Sequence, residues 1–172
     1  MLTIQNTGLV VAHMVYESDT LIHNTLMLIK AAKVLELPII YLEQAPLKLG
    51  KTVITLSEEL SPRSPITKHT FNACAAPEFL DALKQHTKQN WLVCGIEAHI
   101  CVYQSVLGML NLGYSVDVVC DATSSRLAEN KTLAINKLSR QGAAMTSVEM
   151  ALYELVGDSR TPAFKAILPL IK

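Results

Sequence analysis

The chain has no surplus of either charge: Lys and Arg together number 15, Asp and Glu together 15, and charged residues make up 17% of the sequence. Binding to a phosphate backbone or an anionic lipid surface draws on excess positive charge, so nucleic acid and membrane are poor candidate partners. Long hydrophobic runs are missing as well. Stretches such as GLVVA and PIIYL fall far short of the ~20 residues needed to span a bilayer, and no basic segment followed by an apolar core opens the chain. These features predict a soluble, cytoplasmic protein. Cys74, Cys94, Cys101 and Cys120 form no CxxC pair and have no histidines at metal-ligand spacing beside them. That argues against a disulfide framework or structural zinc and for free thiols in a reducing compartment. Neither GxGxxG nor GxxxxGK followed by Ser or Thr occurs, so the glycine-lined cradle that a nucleotide phosphate needs is absent, and no cofactor is expected.

What is present is hydrophobic: half of the 172 residues are, enough for one substantial core, with no break in composition to divide it. One domain over 1–172 is expected. Short β-branched runs alternate with segments of helical period. TGLVVAHMV reads as a strand, and SDTLIHNTLMLIKAAKVLEL as a capped helix with Leu21, Thr25, Leu28, Ala32 and Leu35 on one face. PIIYLEQ is a strand, APLKLG a loop, LSEEL a short helix and SPITKHTF a weaker strand. APEFLDALKQH is helical, NWLVCGIE a strand, and AHICVYQSVLGMLNLG a helix stopped by Gly113. YSVDVVCDA and AAMTSV are strands separated by the helix LAENKTLAINKLSRQG, and two helices, EMALYELVGD and PAFKAILPLIK, follow. Strands that are apolar throughout and separated by helices indicate an α/β fold with a parallel sheet covered on both faces.

In such a sheet ligands bind at the carboxyl ends of the strands. The residues there are His13 to Tyr16, Glu43 and Gln44, Lys68 and His69, Glu97 to Cys101, and Asp121 to Arg126. Cys101 falls on the predicted first turn of the helix after the fourth strand. There, unsatisfied N–H groups and the helix dipole would stabilise a thiolate or hold an oxyanion. Cysteine is also among the most commonly buried residues, so position alone leaves Cys101 either reactive or inert. Cys74, Cys94 and Cys120 read as inert. His23 and His86 read as solvated helix residues, and His69 and His99 as pocket lining.

LVCGIEAHICV, LEQAPLKLG, KHTF, DATSSR and TSVEMALYELVGD followed by PAFKAILPLIK resemble the isochorismatase-like cysteine hydrolases, in register over nearly the whole chain. The resemblance implies a Rossmann-like three-layer αβα fold with six parallel strands in order 3-2-1-4-5-6, and a catalytic Asp–Lys–Cys triad from the ends of strands one, three and four. Cys101 matches the nucleophile and Lys68 the lysine. A cis peptide between Ile96 and Glu97 is further implied, with the backbone N–H groups of Glu97 and Cys101 forming the oxyanion hole. Gln44, Phe71 and His99 are expected to bind substrate. Relatives that hydrolyse nicotinamide carry a metal site after the second strand; here that loop reads EQAPLKLG, and no metal is implied. The resemblance also points to a homo-oligomer acting on a small molecule.

The departure is in GLVVAHMVYES. The acid of the family is matched by His13, its following Gln by Val15 and a later aromatic by Ser18. Two readings follow. In one, the chain is a cysteine hydrolase of small amides, imides or related carbonyl compounds, with His13 as the base that takes the thiol proton. In the other, His13 fills space and the fold survives as a catalytically impaired or inactive module that binds a small ligand or forms an oligomer. A variant of the first lets Glu17, Asp19 or Glu97 supply the acid.

Overall fold

A computed structural model describes residues 1–15 and 18–171. Tyr16 and Glu17, named above at the end of the first strand and as a candidate acid, lie outside the described residues. Six strands form: β1 (Thr7–Val11), β2 (Ile39–Gln44), β3 (Ile66–Lys68), β4 (Asn90–Gly95), β5 (Ser115–Thr123) and β6 (Ala144–Thr146). All pairings are parallel and the order is β3-β2-β1-β4-β5-β6. β1 and β2 are buried at every position, because helices cover both of their faces. Along β1 the pleat sends Leu9 and Val11 into one core with Leu28, Ile29, Leu152 and Ile167, and Val10 into the other with Phe79, Val93, Val106 and Leu138. The three-layer arrangement implied above is the observed one.

The helices are α1 (Asp19–Val34), α2 (Pro46–Leu49), α3 (Ile54–Leu60), α4 (Pro77–His86), α5 (Tyr103–Asn111), α6 (Ala128–Arg140), α7 (Val148–Val156) and α8 (Pro162–Ile171). In α1 the predicted stripe of Leu21, Thr25, Leu28 and Ala32 is buried. Three local features differ from expectation. APLKLG is not a plain loop: Ala45 takes a left-handed conformation with φ 41° and Pro46 starts the single helical turn α2. The helix after β4 is not α-helical from its start, since Ala98–Val102 forms a π-helical turn ahead of α5. His86 is half-buried, its ring 6.4 Å from that of Trp91, where solvation was expected.

Two close approaches set the carboxyl end of the sheet. Between β1 and β4, where the strand order reverses, Gly95 sits at φ +119°, and a Cβ there would lie 2.5 Å from the Ala12 carbonyl oxygen. Only glycine satisfies both conditions. On α5, a Cβ at Gly108 would meet Asn72 Oδ1 at 2.6 Å, so the glycine lets the segment after β3 pack against α5. Parallel register then places Gln44 directly beside Lys68 across β2 and β3.

Candidate active site

Lys68 ends β3 with its side chain 2% exposed. Its ammonium donates to Gln44 Oε1, to the Thr70 carbonyl at 2.9 Å and to the Phe71 carbonyl at 3.3 Å. These three acceptors are neutral, and among the described residues no carboxylate forms an ion pair with Lys68. Cys101, 7% exposed, lies on the π-helical turn and donates its thiol to the same Gln44 Oε1 at 3.7 Å. Lys68 and Cys101 also interact directly, each favouring the charged form of the other. Gln44 is held in turn by donation from its Nε2 to the His69 carbonyl at 2.7 Å. Thiol, ammonium and amide therefore form one buried network drawn from β2, β3 and the turn after β4.

His13 comes from the end of β1 and is 5% exposed. Its Nδ1 accepts from the Gln44 backbone N–H at 3.2 Å, while its Nε2 is buried without a hydrogen-bond partner among the described residues. Burial lowers its pKa below the ordinary imidazole value, with the Glu43 carboxylate opposing and the Lys68 ammonium reinforcing that shift. A neutral ring that accepts at Nδ1 carries its proton on Nε2. The ring thus presents a donor, and an unpaired buried donor costs about 1–3 kcal/mol.

Burial also pushes the Cys101 thiol up; the Lys68 charge and hydrogen bond pull it down, and Glu97 adds a smaller upward push, for a net rise. The low thiol pKa anticipated from a helix start is thus outweighed by desolvation. Lys68 is lowered by its own burial, partly offset by Cys101. Lysine and thiol are displaced toward each other, which favours passing one proton between them. Cys94 is driven up to about 12 and Cys74 to about 11 by burial, which fits an inert packing role for both.

The network opens into a cavity of about 270 Å³. His13, Gln44 and Cys101 form its polar lining, and Val15, Leu49, Ile96 and Ile100 are apolar wall residues to which the sequence reading gave no pocket role. Phe71, 53% exposed, stands at the rim. Glu97 and Arg126 complete the lining: Glu97 Oε2 accepts from the Arg126 backbone N–H at 3.1 Å, and Glu97 Oε1 lies 3.4 Å from the Arg126 guanidinium. The Ile96–Glu97 peptide is cis. His99, expected to bind substrate, is directed elsewhere. Its Nδ1 is 3.0 Å from Ser125 Oγ and its Nε2 3.4 Å from Asn130, on the wall of a separate hollow of about 160 Å³ beside Tyr103 and Lys137. Asp19 is exposed on the first turn of α1. Among the described residues, no group of three or more His, Cys, Asp or Glu side chains is arranged to hold a metal ion.

The Isochorismatase domain family profile matches residues 4–150. A protein from Phytophthora sojae named a secreted isochorismatase effector is 36% identical over 163 residues, covering 91% of this chain and 77% of that protein. Human isochorismatase domain-containing protein 2 is 37% identical over 146 residues, 84% of this chain and 69% of that one. Among solved structures, a Caenorhabditis elegans protein described as MAR1 ribonuclease superposes with a TM-score of 0.91 at 37% identity, covering 99% of this chain and 91% of that one. The Escherichia coli YcaC gene product, described as an octameric hydrolase of unknown specificity, superposes with a TM-score of 0.90 at 22% identity over 99% of this chain and 88% of that one, which speaks to the fold alone. By the matched profile and these relatives, the chain belongs to the isochorismatase family.

Proposed function

We propose that this chain is a metal-independent cysteine hydrolase of small amides, imides or related carbonyl compounds, with Cys101 as nucleophile. The observation that carries the reading is the buried contact of the Cys101 sulfur with Gln44 and Lys68, where Cys101 and Gln44 face a cavity of about 270 Å³. Lys68 enters the reaction as the neutral amine toward which burial displaces it and takes the thiol proton, becoming the ammonium; His13 does not, because its Nδ1 lone pair is engaged by the Gln44 N–H. The thiolate then attacks the substrate carbonyl, and the backbone N–H groups of Glu97 and Cys101 hold the oxyanion. Lys68 returns the proton to the departing amine, leaving a thioester; water, deprotonated by the Lys68 amine, releases the acid and regenerates the thiol. His13 lines the cavity and stays tied to the Gln44 backbone N–H.

Loss of a dedicated carboxylate base would cost about 10²–10⁴-fold in rate, so slow turnover is expected. A second reading, a non-catalytic small-ligand pocket, draws its support from the upward displacement of the Cys101 thiol. Incubation with activated small amides and esters, followed by mass measurement, separates the two. An acyl adduct on Cys101 that decays with release of acid, and is absent in Cys101→Ala, is expected. An unmodified Cys101 with every compound tried would leave the ligand-pocket reading. Balanced charge favours a small molecule over RNA as substrate. Four free thiols fit the cytoplasm, and no helix is long and apolar enough to cross a membrane among the described residues. Leu127, Leu133, Met150 and Tyr153, exposed on the surface, support self-association.

A further inference from the structure

The opposite end of the sheet gathers cations that the thiol chemistry does not use. A hollow of about 620 Å³ is lined there by Lys33, Glu36, Arg63, His86 and Lys88. These side chains converge from separate places in the chain: Lys33 from the last turn of α1, Arg63 from the link between α3 and β3, His86 from the end of α4 and Lys88 from the link into β4. Pro38, also in the lining, stands just before β2, so the hollow faces the amino ends of the strands. The six residues of β4 set it about 20 Å from the turn that carries Cys101.

Of these cations only Lys33 has a carboxylate, that of Glu59. Arg63 and Lys88 form no ion pair with any described residue, and Glu36 pairs with none of the cations. The Lys88 ammonium donates to the Gln5 carbonyl, a neutral acceptor. Arg63 is anchored through its main chain, its N–H donating to the Leu60 carbonyl at 3.0 Å and its carbonyl accepting from the Tyr41 hydroxyl at 3.1 Å. Burial lowers the pKa of the half-buried His86, and the Lys88 and Arg63 charges lower it further, so both cations bear on one imidazole. In a chain of zero formal net charge, such a grouping repels itself unless an anion sits among its members. A second hollow, of about 260 Å³, shares Arg63 and His86 with the first and adds Ile39, Ile40, Ile66 and Ala82. The cations thus border an apolar recess.

We infer that the two hollows form a second binding site, for a small phosphate monoester, with the phosphate among Arg63, His86 and Lys88 and the organic group against Ile39, Ile40, Ile66 and Ala82. A guanidinium fork, an imidazole N–H and an ammonium can each meet a different oxygen of a tetrahedral dianion, whereas a carboxylate offers two oxygens in one plane. Glu36 in the lining and Glu59 on Lys33 confine the positive charge to this hollow, which suits a small ligand rather than a polyanionic strand. The site stands apart from Cys101 and does not depend on its chemistry.

Calorimetric titration of the full chain with phenyl phosphate and with inorganic phosphate tests the inference. Phenyl phosphate is expected to bind about tenfold or more tightly than inorganic phosphate, because its ring is taken out of water. Arg63→Gln and Lys88→Gln, neither at a buried position, are each expected to weaken phenyl phosphate binding about tenfold or more, while Arg126→Gln at the thiol cavity leaves it unchanged. In NMR spectra followed through the same titration, the ring signals of His86 are expected to move and those of His13 and His99 to stay in place. No heat and no movement of His86 with millimolar phenyl phosphate overturns the inference, and so does equal affinity for the two compounds. Binding that is lost in Arg126→Gln and kept in Arg63→Gln places the anion in the thiol cavity and overturns it as well.

Discussion

The ends of β3 and β4 and the end of β1 face one cavity but differ in how their polar groups are met. On the β3 and β4 side every donor of Lys68 has an acceptor, and Gln44 joins ammonium to thiol through its Oε1 while its Nε2 donates to the His69 carbonyl. On the β1 side His13 has one nitrogen satisfied and one buried without a partner among the described residues. The adjoining wall position, Val15, offers only carbon. The first region has the parts of a nucleophilic centre. The second presents a buried imidazole, at the position where the resemblance implies a carboxylate. Neighbouring strand ends can differ in this way because each is fixed by its own hydrogen bonds and register.

The two regions are joined physically at Gly95, and breaking that joint has the largest expected effect. Gly95→Ala would force a Cβ against the Ala12 carbonyl at 2.5 Å on a backbone with φ +119°. The strained conformation alone costs about 1–3 kcal/mol, and the clash with backbone adds to it. Equilibrium unfolding in urea should show a loss of about 3 kcal/mol or more. An unchanged midpoint would mean that β1 and β4 separate freely and that the two sides of the cavity are not rigidly linked.

The sheet, its order and the helices were legible because strands buried on both faces are continuous apolar runs, and because α1 carries its stripe at helical spacing. The resemblance added Lys68 and Cys101, which the structure brings together. The rest was not legible, for physical reasons. Whether a thiol at a helix start is lowered or raised depends on how much water reaches it, and the Cys101 motif does not encode burial. The π-helical turn at Ala98–Val102 leaves no mark distinct from an α-helical start. The tautomer of His13 is decided by the backbone N–H of Gln44, a contact between residues 31 apart in sequence. His99 could point to either side of its turn; Ser125 and Asn130 settle it away from Cys101.

The next effect in size sharpens the β3 and β4 side. Lys68→Met keeps much of the length and removes the charge that pulls the Cys101 thiol down. Iodoacetamide should modify Cys101 in this variant about tenfold or more slowly near neutral pH, since each tenfold change in thiolate fraction corresponds to about 1.4 kcal/mol. In the unaltered chain the rate should keep climbing as pH passes 9, because burial raises the Cys101 pKa above its ordinary value. A plateau reached near pH 6.5 would instead indicate a thiolate stabilised well beyond what Lys68 and burial together allow.

The smallest effect tests the β1 side through stability. The His13 pKa is lowered in the fold, with burial the main cause, so between its folded value and 6.5 the unfolded chain binds a proton that the folded chain does not. Its contribution is therefore fully present above pH 6.5 and is lost as pH falls through that window toward the folded value. His13→Asn cannot titrate and keeps an acceptor for the Gln44 N–H. The unaltered chain should thus lose more stability than the variant between pH 7 and pH 5, measured as the change in unfolding free energy. His86, also lowered, is present in both proteins and cancels in the difference. Equal losses would place a proton on His13 Nδ1 in the folded state at pH 5, in place of its hydrogen bond from the Gln44 N–H. The contrast between a satisfied β3 and β4 side and an unsatisfied β1 side would then collapse.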